Sequence, residues 1–290
     1  MPAFDLLASS PLALTFCTFL LGLLVGSFLN VVVHRLPITL DRQWRAQALD
    51  YLKLPEEPQP ERYNLLTPRS CCPNCQRPIR AHENIPLLSY LLLRGRCAGC
   101  QARISLRYPL VELASGVLSG FIAWHFGATW QLPAMLVLTW GLLALSLIDI
   151  DRQWLPDVIV LPLLWLGLIL NTQGVFAPLA DAVWGAVFGY GALWLVFQLF
   201  RLVTGKEGMG YGDFKLLAMF GAWGGWQLLP LTLLLSSVVG AVLGVILLRA
   251  RGASTSTPIP FGPYIALAGW IALLWGDQIT TLYLQFAGFR

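Results

Sequence analysis

Charge is what this sequence has least of. Only 12% of its 290 residues are Asp, Glu, Lys or Arg, against roughly 25% in a soluble domain. With 57% apolar residues and a mean hydropathy of +0.66, one large water-facing core is excluded and a polytopic membrane protein is indicated. Histidine is also scarce. His34, His82 and His125 are too scattered to suggest a metal cage, and no Ser/His/Asp grouping stands out. No GxGxxG fingerprint follows a strand pattern, so no Rossmann-type nucleotide site is expected. The start, MPAFDLLASSPLALTF, has no basic n-region and its first charge is Asp5. A cleaved secretory signal is therefore not expected, and the first apolar run reads as a retained span. Neither an internal repeat nor a long low-complexity tract is evident.

What is present is long apolar sequence. Crossing a hydrocarbon layer of ~30 Å takes about 20 apolar residues. Eight such runs lie near 12–33, 108–126, 132–148, 157–173, 181–202, 214–229, 230–248 and 261–284, with a weak boundary through Trp226 to Pro230. The expected fold is all-α, with about eight transmembrane helices and a small polar domain inserted after the first. This divides the chain into a first span (1–33), an insert (34–107) and a seven-span membrane body (108–290). Eighteen of the 19 Lys and Arg then fall on one side, with only Arg290 opposite. By the positive-inside rule that side is cytoplasmic and both termini face outward.

The insert carries 12 basic and 6 acidic residues, which suits contact with anionic inner-leaflet lipid. No aromatic-basic pattern points to nucleic acid. Residues 41–53 read as a short amphipathic helix on the membrane surface, and residues 55–64 as a Pro-rich charged linker. Cys72-Pro-Asn-Cys75 and Cys97-Ala-Gly-Cys100 are two CxxC knuckles with 21 residues between them. That spacing brings four thiolates to one tetrahedral Zn²⁺, with no position left open for chemistry, so a structural zinc is expected. Cys72 is preferred to the adjacent Cys71 because it restores the two-residue spacing. Cys17, in mid-span, reads as a small apolar filler. Glycines four apart (Gly185 and Gly189, Gly221 and Gly225, Gly240 and Gly244) suit close helix packing.

Two acids sit at the ends of apolar runs on the cytoplasmic edge: Asp149 in SLIDIDRQWLPD and Asp213 in GMGYGDFKLLA. A carboxylate at a membrane edge is costly to desolvate and is functional by default. Two on spans that pack together can share one proton and one water, as in aspartic proteolysis. On the residues alone a second reading stands, with Asp213 capping a helix after a flexible glycine loop. Asp151 and Asp157 are competing acids, the latter suited to a helix N-terminus. Lys215 can tune the pair, bind a phospholipid or snorkel.

GSFLNVVVHRLP, the paired CxxC module, ENIPLLSY, LIDIDRQWLPD and GMGYGDFKL occur in one order along nearly the whole chain. In these motifs the sequence resembles the type 4 prepilin peptidases, bifunctional leader peptidase/N-methyltransferases of the GxGD aspartic class. The resemblance implies that Asp149 and Asp213 are the catalytic pair. It implies prepilin and type II secretion pseudopilin substrates, cleaved at the cytoplasmic face of a bacterial inner membrane. It also implies N-methylation of the new N-terminus with S-adenosylmethionine. Asn30, Glu83, Asn84 and Glu112, in or near the shared motifs, are candidates for the methyl-donor site. Each has a plain structural alternative: interhelical glue for Asn30, capping or turns for Glu83 and Asn84, pairing with Arg107 or Arg103 for Glu112. Two rival functions remain at this stage. One is an ion-coupled carrier using the edge aspartates. The other is a non-catalytic zinc-binding membrane adaptor.

Overall fold

The computed structural model describes residues 10–55, 63–251 and 260–288. The opening MPAFDLLAS, residues 56–62 of the expected linker and Arg290 lie outside the described residues. Within them the regular structure is helical, apart from two isolated β-bridges. The helices are α1 (Pro11–Tyr51), α2 (Leu88–Leu92), α3 (Arg107–Phe126), α4 (Gln131–Arg152), α5 (Asp157–Asn171), α6 (Leu179–Thr204), α7 (Tyr211–Gly224), α8 (Leu228–Arg251) and α9 (Gly262–Phe286). Among the described residues, six helices are long and apolar enough to cross a membrane: α1, α3, α4, α6, α8 and α9. The apolar α5 and α7 are shorter, at 15 and 14 residues. The weak boundary between the sixth and seventh runs resolves at Gly225, whose φ of +80° suits glycine and ends α7.

The chain divides into two compact units, Met1–Ala144 and Leu145–Arg290. In the first, α1 packs on α3. Ser10 caps α1, its Oγ accepting the Ala13 N–H at 3.4 Å, and Pro11 fills the first turn, where its missing N–H costs nothing. The helix then runs 41 residues, or roughly 60 Å at 1.5 Å per residue, twice the apolar layer. The expected separate amphipathic helix at 41–53 is therefore not separate. It is the end of α1, which continues through a buried Pro37. Gly22 and Gly26 bring α1 against α3: a methyl on Gly26 would stand 2.7 Å from the Glu112 Cα, and one on Gly22 would overlap Ser119. This glycine pair, also four apart, escaped the sequence reading. Across the same interface Asn30 donates from Nδ2 to the Tyr108 carbonyl at 3.2 Å.

In the second unit, α7 is the central element. Phe214, Leu216, Leu217, Met219, Phe220 and Trp223 are all fully buried, and α5, α6, α8 and α9 pack around it. A helix apolar on every side belongs inside a bundle. Because lipid is as apolar as a leucine, packing and hydrogen bonds must hold these helices together. Gly185 of α6 and Gly221 of α7 abut backbone to backbone, where any Cβ would collide. Asn171 at the end of α5 is almost wholly buried and fully bonded. Its Nδ2 donates to the Ala222 and Trp223 carbonyls at 2.9 and 2.8 Å, and its Oδ1 accepts from Phe176 and Ala177 N–H at 3.0 Å each. These bonds satisfy carbonyls that the end of α7 leaves open. The Trp223 indole donates to the Leu163 carbonyl at 2.8 Å and lies where a side chain on Gly167 would be.

Candidate active site and metal centre

Asp149 lies in the last turn of α4, and Asp213 is the third residue of α7. An acid in a first helical turn faces the positive helix end, which favours it there. Both carboxyls are buried, at 5% and 8% exposure, and one leucine, Leu155, packs against Gly212, the neighbour of Asp213, and against Gly262, which bonds Asp149. Asp149 Oδ2 accepts the buried N–H of Gly262 at 3.0 Å. The Asp213 N–H donates to the Gly210 carbonyl at 3.2 Å. Gly212 lets α7 start against Leu155, for a methyl on it would stand 2.9 Å from the Leu155 Cβ. An aromatic cluster of Tyr190, Phe197, Tyr211 and Phe214 backs the turn that carries Asp213.

Of the competing acids, Asp151 is exposed. Lys215 is paired with Asp157. Its Nζ donates to both oxygens of Asp157, at 2.8 and 2.7 Å, joining the first turns of α5 and α7. Asp157 is the first residue of α5, and the capping position itself is Pro156. A carboxylate with a bound lysine is not free for general acid–base work, which leaves Asp149 and Asp213 as the buried acids of this unit.

In the first unit the four knuckle cysteines converge. The Sγ atoms of Cys72, Cys75, Cys97 and Cys100 all lie within 4.8 Å of one another. Cys72–Cys100 and Cys75–Cys97 are 3.8 and 4.0 Å apart. Four sulfurs around zinc at about 2.3 Å stand ~3.8 Å apart, so the donor set and spacing fit that ion. Asn74 donates to Cys100 Sγ at 3.5 Å, a bond that favours the thiolate a metal needs. Cys71 stays outside the cluster, with its Sγ on Gln76 Oε1 at 3.5 Å. The knuckles are structural copies. Cys72 N–H donates to the Arg77 carbonyl and Cys97 N–H to that of Ala102; Ile79 and Ile104 N–H donate to the carbonyls of Ser70 and Gly95. The bridges Cys71–Pro78 and Arg96–Arg103 correspond too. The sequence carries this repeat as CxxCQxxI written twice, a signal the sequence reading passed over.

The four methyl-donor candidates have varied surroundings. Glu83 accepts from Arg77 Nη2 at 2.7 Å and from the Arg80 N–H at 3.0 Å. The Arg80 amide first, then the Arg77 guanidinium, holds its carboxyl below the ordinary 4.5. Glu112 is buried and pairs with neither arginine suggested for it; its Oε2 accepts the Leu87 N–H at 2.8 Å. Leu87 itself has a φ of +58°, a costly conformation for leucine. Asn30 ties α1 to Tyr108, as above, and Asn84 is exposed at the end of the short turn Ala81–Asn84.

Comparison with known families agrees with this architecture. Residues 20–126 match the bacterial peptidase A24 N-terminal domain, and residues 136–245 match the type IV leader peptidase family. The chain belongs to that family of membrane peptidases. Among its relatives is a prepilin leader peptidase/N-methyltransferase of Pseudomonas aeruginosa, 70% identical over 290 residues and all of both chains. Proteins of the same name from Stutzerimonas stutzeri and Neisseria gonorrhoeae are 68% and 49% identical, over 99% and 95% of each chain. No solved structure matches the chain.

Proposed function

We propose that this protein is a bifunctional enzyme. It removes the leader from type 4 prepilins and type II secretion pseudopilins, then N-methylates the exposed N-terminal residue. The observation that carries the reading is that Asp149 and Asp213 are both buried, on turns joined by Leu155, in a chain with full-length relatives named for both activities. The ion-coupled carrier and the inert adaptor are set aside on the same ground.

The mechanism needs one carboxyl protonated and its partner ionised, as in aspartic dyads. The ionised member takes a proton from a water as its oxygen attacks the scissile carbonyl carbon. The protonated member donates a hydrogen bond to the developing oxyanion. Collapse breaks the C–N bond, and the departing amine takes up the proton. The pair titrates as a unit, so the proton belongs to the dyad rather than to either residue.

The insert is assigned one structural Zn²⁺ on Cys72, Cys75, Cys97 and Cys100, which cross-links its two knuckles. S-adenosylmethionine is assigned as methyl donor, supplying an electrophilic methyl group to the new α-amine. Asn30, Asn84 and Glu112 remain the candidates near it. Glu83 is already taken up by Arg77 and Arg80 and is better assigned to holding the insert together. With eight spans, 18 of 19 cations fall on one side, and this bias supports an inner-membrane location with both termini periplasmic and the acids at the cytoplasmic face.

The test is incubation of purified enzyme with a full-length prepilin and S-adenosylmethionine, read by intact mass. Loss of the leader followed by gain of one CH₂ is expected. A prepilin that keeps its full mass would sink the reading.

A further inference from the structure

Helix α9 opens with Pro260-Phe261-Gly262-Pro263, and this opening reaches into the acid pair. Phe261 is the capping residue and Gly262 the first residue of the helix. The leading N–H groups of a helix have no partner within it. That of Gly262 goes to Asp149 Oδ2 at 3.0 Å, buried from solvent. The position also admits nothing larger. A methyl on Gly262 would stand 2.7 Å from Asp149 Oδ2, 3.2 Å from its Cγ and 3.1 Å from Leu155 Cδ2. Leu155, 5% exposed, is shared: it also lies against Gly212, the residue before Asp213. One buried leucine thus packs against two glycines, one bonded to the first acid and one adjacent in the chain to the second.

We propose that Gly262 is a positioning residue for prepilin cleavage: its backbone N–H fixes the Asp149 carboxylate within the pair, with Leu155 as the spacer between Gly262 and Gly212. The proposal rests on the reading of Asp149 and Asp213 as the catalytic acids. Positioning and simple packing predict different things. A misplaced acid slows the chemical step without weakening prepilin binding, because the group acts in the transition state. A packing fault instead spreads through the bundle and is relieved by removing the crowding neighbour.

The test compares wild-type enzyme with Gly262→Ala, Leu155→Ala and the double variant. Methylation of pre-cleaved pilin serves as the report on folding. For Gly262→Ala, kcat for cleavage is expected to fall about ten- to a hundredfold, the scale of an ångström of misplacement. KM for prepilin and the methylation rate should stay within twofold. Leu155→Ala in the same chain should not restore kcat, since the clash with Asp149 remains. A Gly262→Ala enzyme that cleaves at the wild-type rate overturns the proposal, and so does full rescue by Leu155→Ala.

Should Gly262→Ala fail to fold, selective glycine ¹⁵N labelling answers the question on other chains. The Gly262 amide resonance should shift upfield in Asp149→Ala and stay in place in Asp213→Ala. An unmoved resonance in Asp149→Ala contradicts the bond. Failure of the underlying reading would look different: Asp149→Asn itself would cleave normally.

Discussion

At the scale of single residues, function depends on which polar groups are already spoken for. Asp157 is held by Lys215, Glu83 by Arg77 and Arg80, and Glu112 by the Leu87 amide. Among the described residues, Asp149 has only a backbone N–H on its carboxylate oxygen. The Glu83 clasp has a pH dependence whose sign is fixed. Its carboxyl is held below 4.5 in the folded state, so it stabilises the insert above that value and the contribution is lost as pH falls through the lowered one. Glu83→Gln should therefore exchange amide hydrogens faster than wild type across residues 76–84 at pH 7, with the difference closing at a pH well below 4.5, once the folded carboxyl is protonated. Equal exchange at both pH values would refute the clasp. The acids and the cysteines were legible in the sequence because their residue types are rare in apolar or small polar segments. Gly262 was not, because it contributes a backbone N–H that any residue owns; only the Pro-Phe-Gly-Pro opening of the last span hinted at a fixed chain entry.

At the scale of elements, the apolar runs located the helices, and physical chemistry explains the departures. The α7 helix is shorter than a membrane is thick because other helices, rather than lipid, surround it. The α1 helix outruns its apolar stretch because the residues around Pro37 pack tightly enough to keep the turn, against the usual cost of a proline inside a helix. Asn171 is the pin between α5 and α7. Asn171→Ala would strand two carbonyls and two amides in the interior, with a cost of about 2–4 kcal/mol. The expected result is a clear fall in the unfolding midpoint in detergent. Lys215→Ala should cost far less, about 0.2–1 kcal/mol, because the Asp157 side chain is half exposed. If the two variants unfold alike, the ranking of these contacts is wrong.

At the scale of the whole molecule, the two compact units carry different chemistry. The first holds the cysteine centre and the methyl-donor candidates, and the second holds the acid pair. Metal analysis of the purified protein should find close to one zinc and no iron per chain. Cys72→Ser should lose the metal and raise protease sensitivity in the insert, as expected for a small domain with few large apolar side chains. A metal content below half an equivalent in wild-type protein would contradict the assignment. The family and its paired activities were readable in the order of five motifs. The partition of the chain into two units was not, because it falls inside the continuous helix α4, where the sequence shows no break.

The central claim is that Asp149 and Asp213 together activate one water. The most direct measurement is prepilin cleavage by purified Asp149→Asn and Asp213→Asn, with methylation of pre-cleaved pilin by the same preparations as the internal standard. Each variant should lose about 10²–10⁴-fold in cleavage rate while methylating at the wild-type rate. Near-normal cleavage by either variant would remove that residue from the chemistry and the dyad with it.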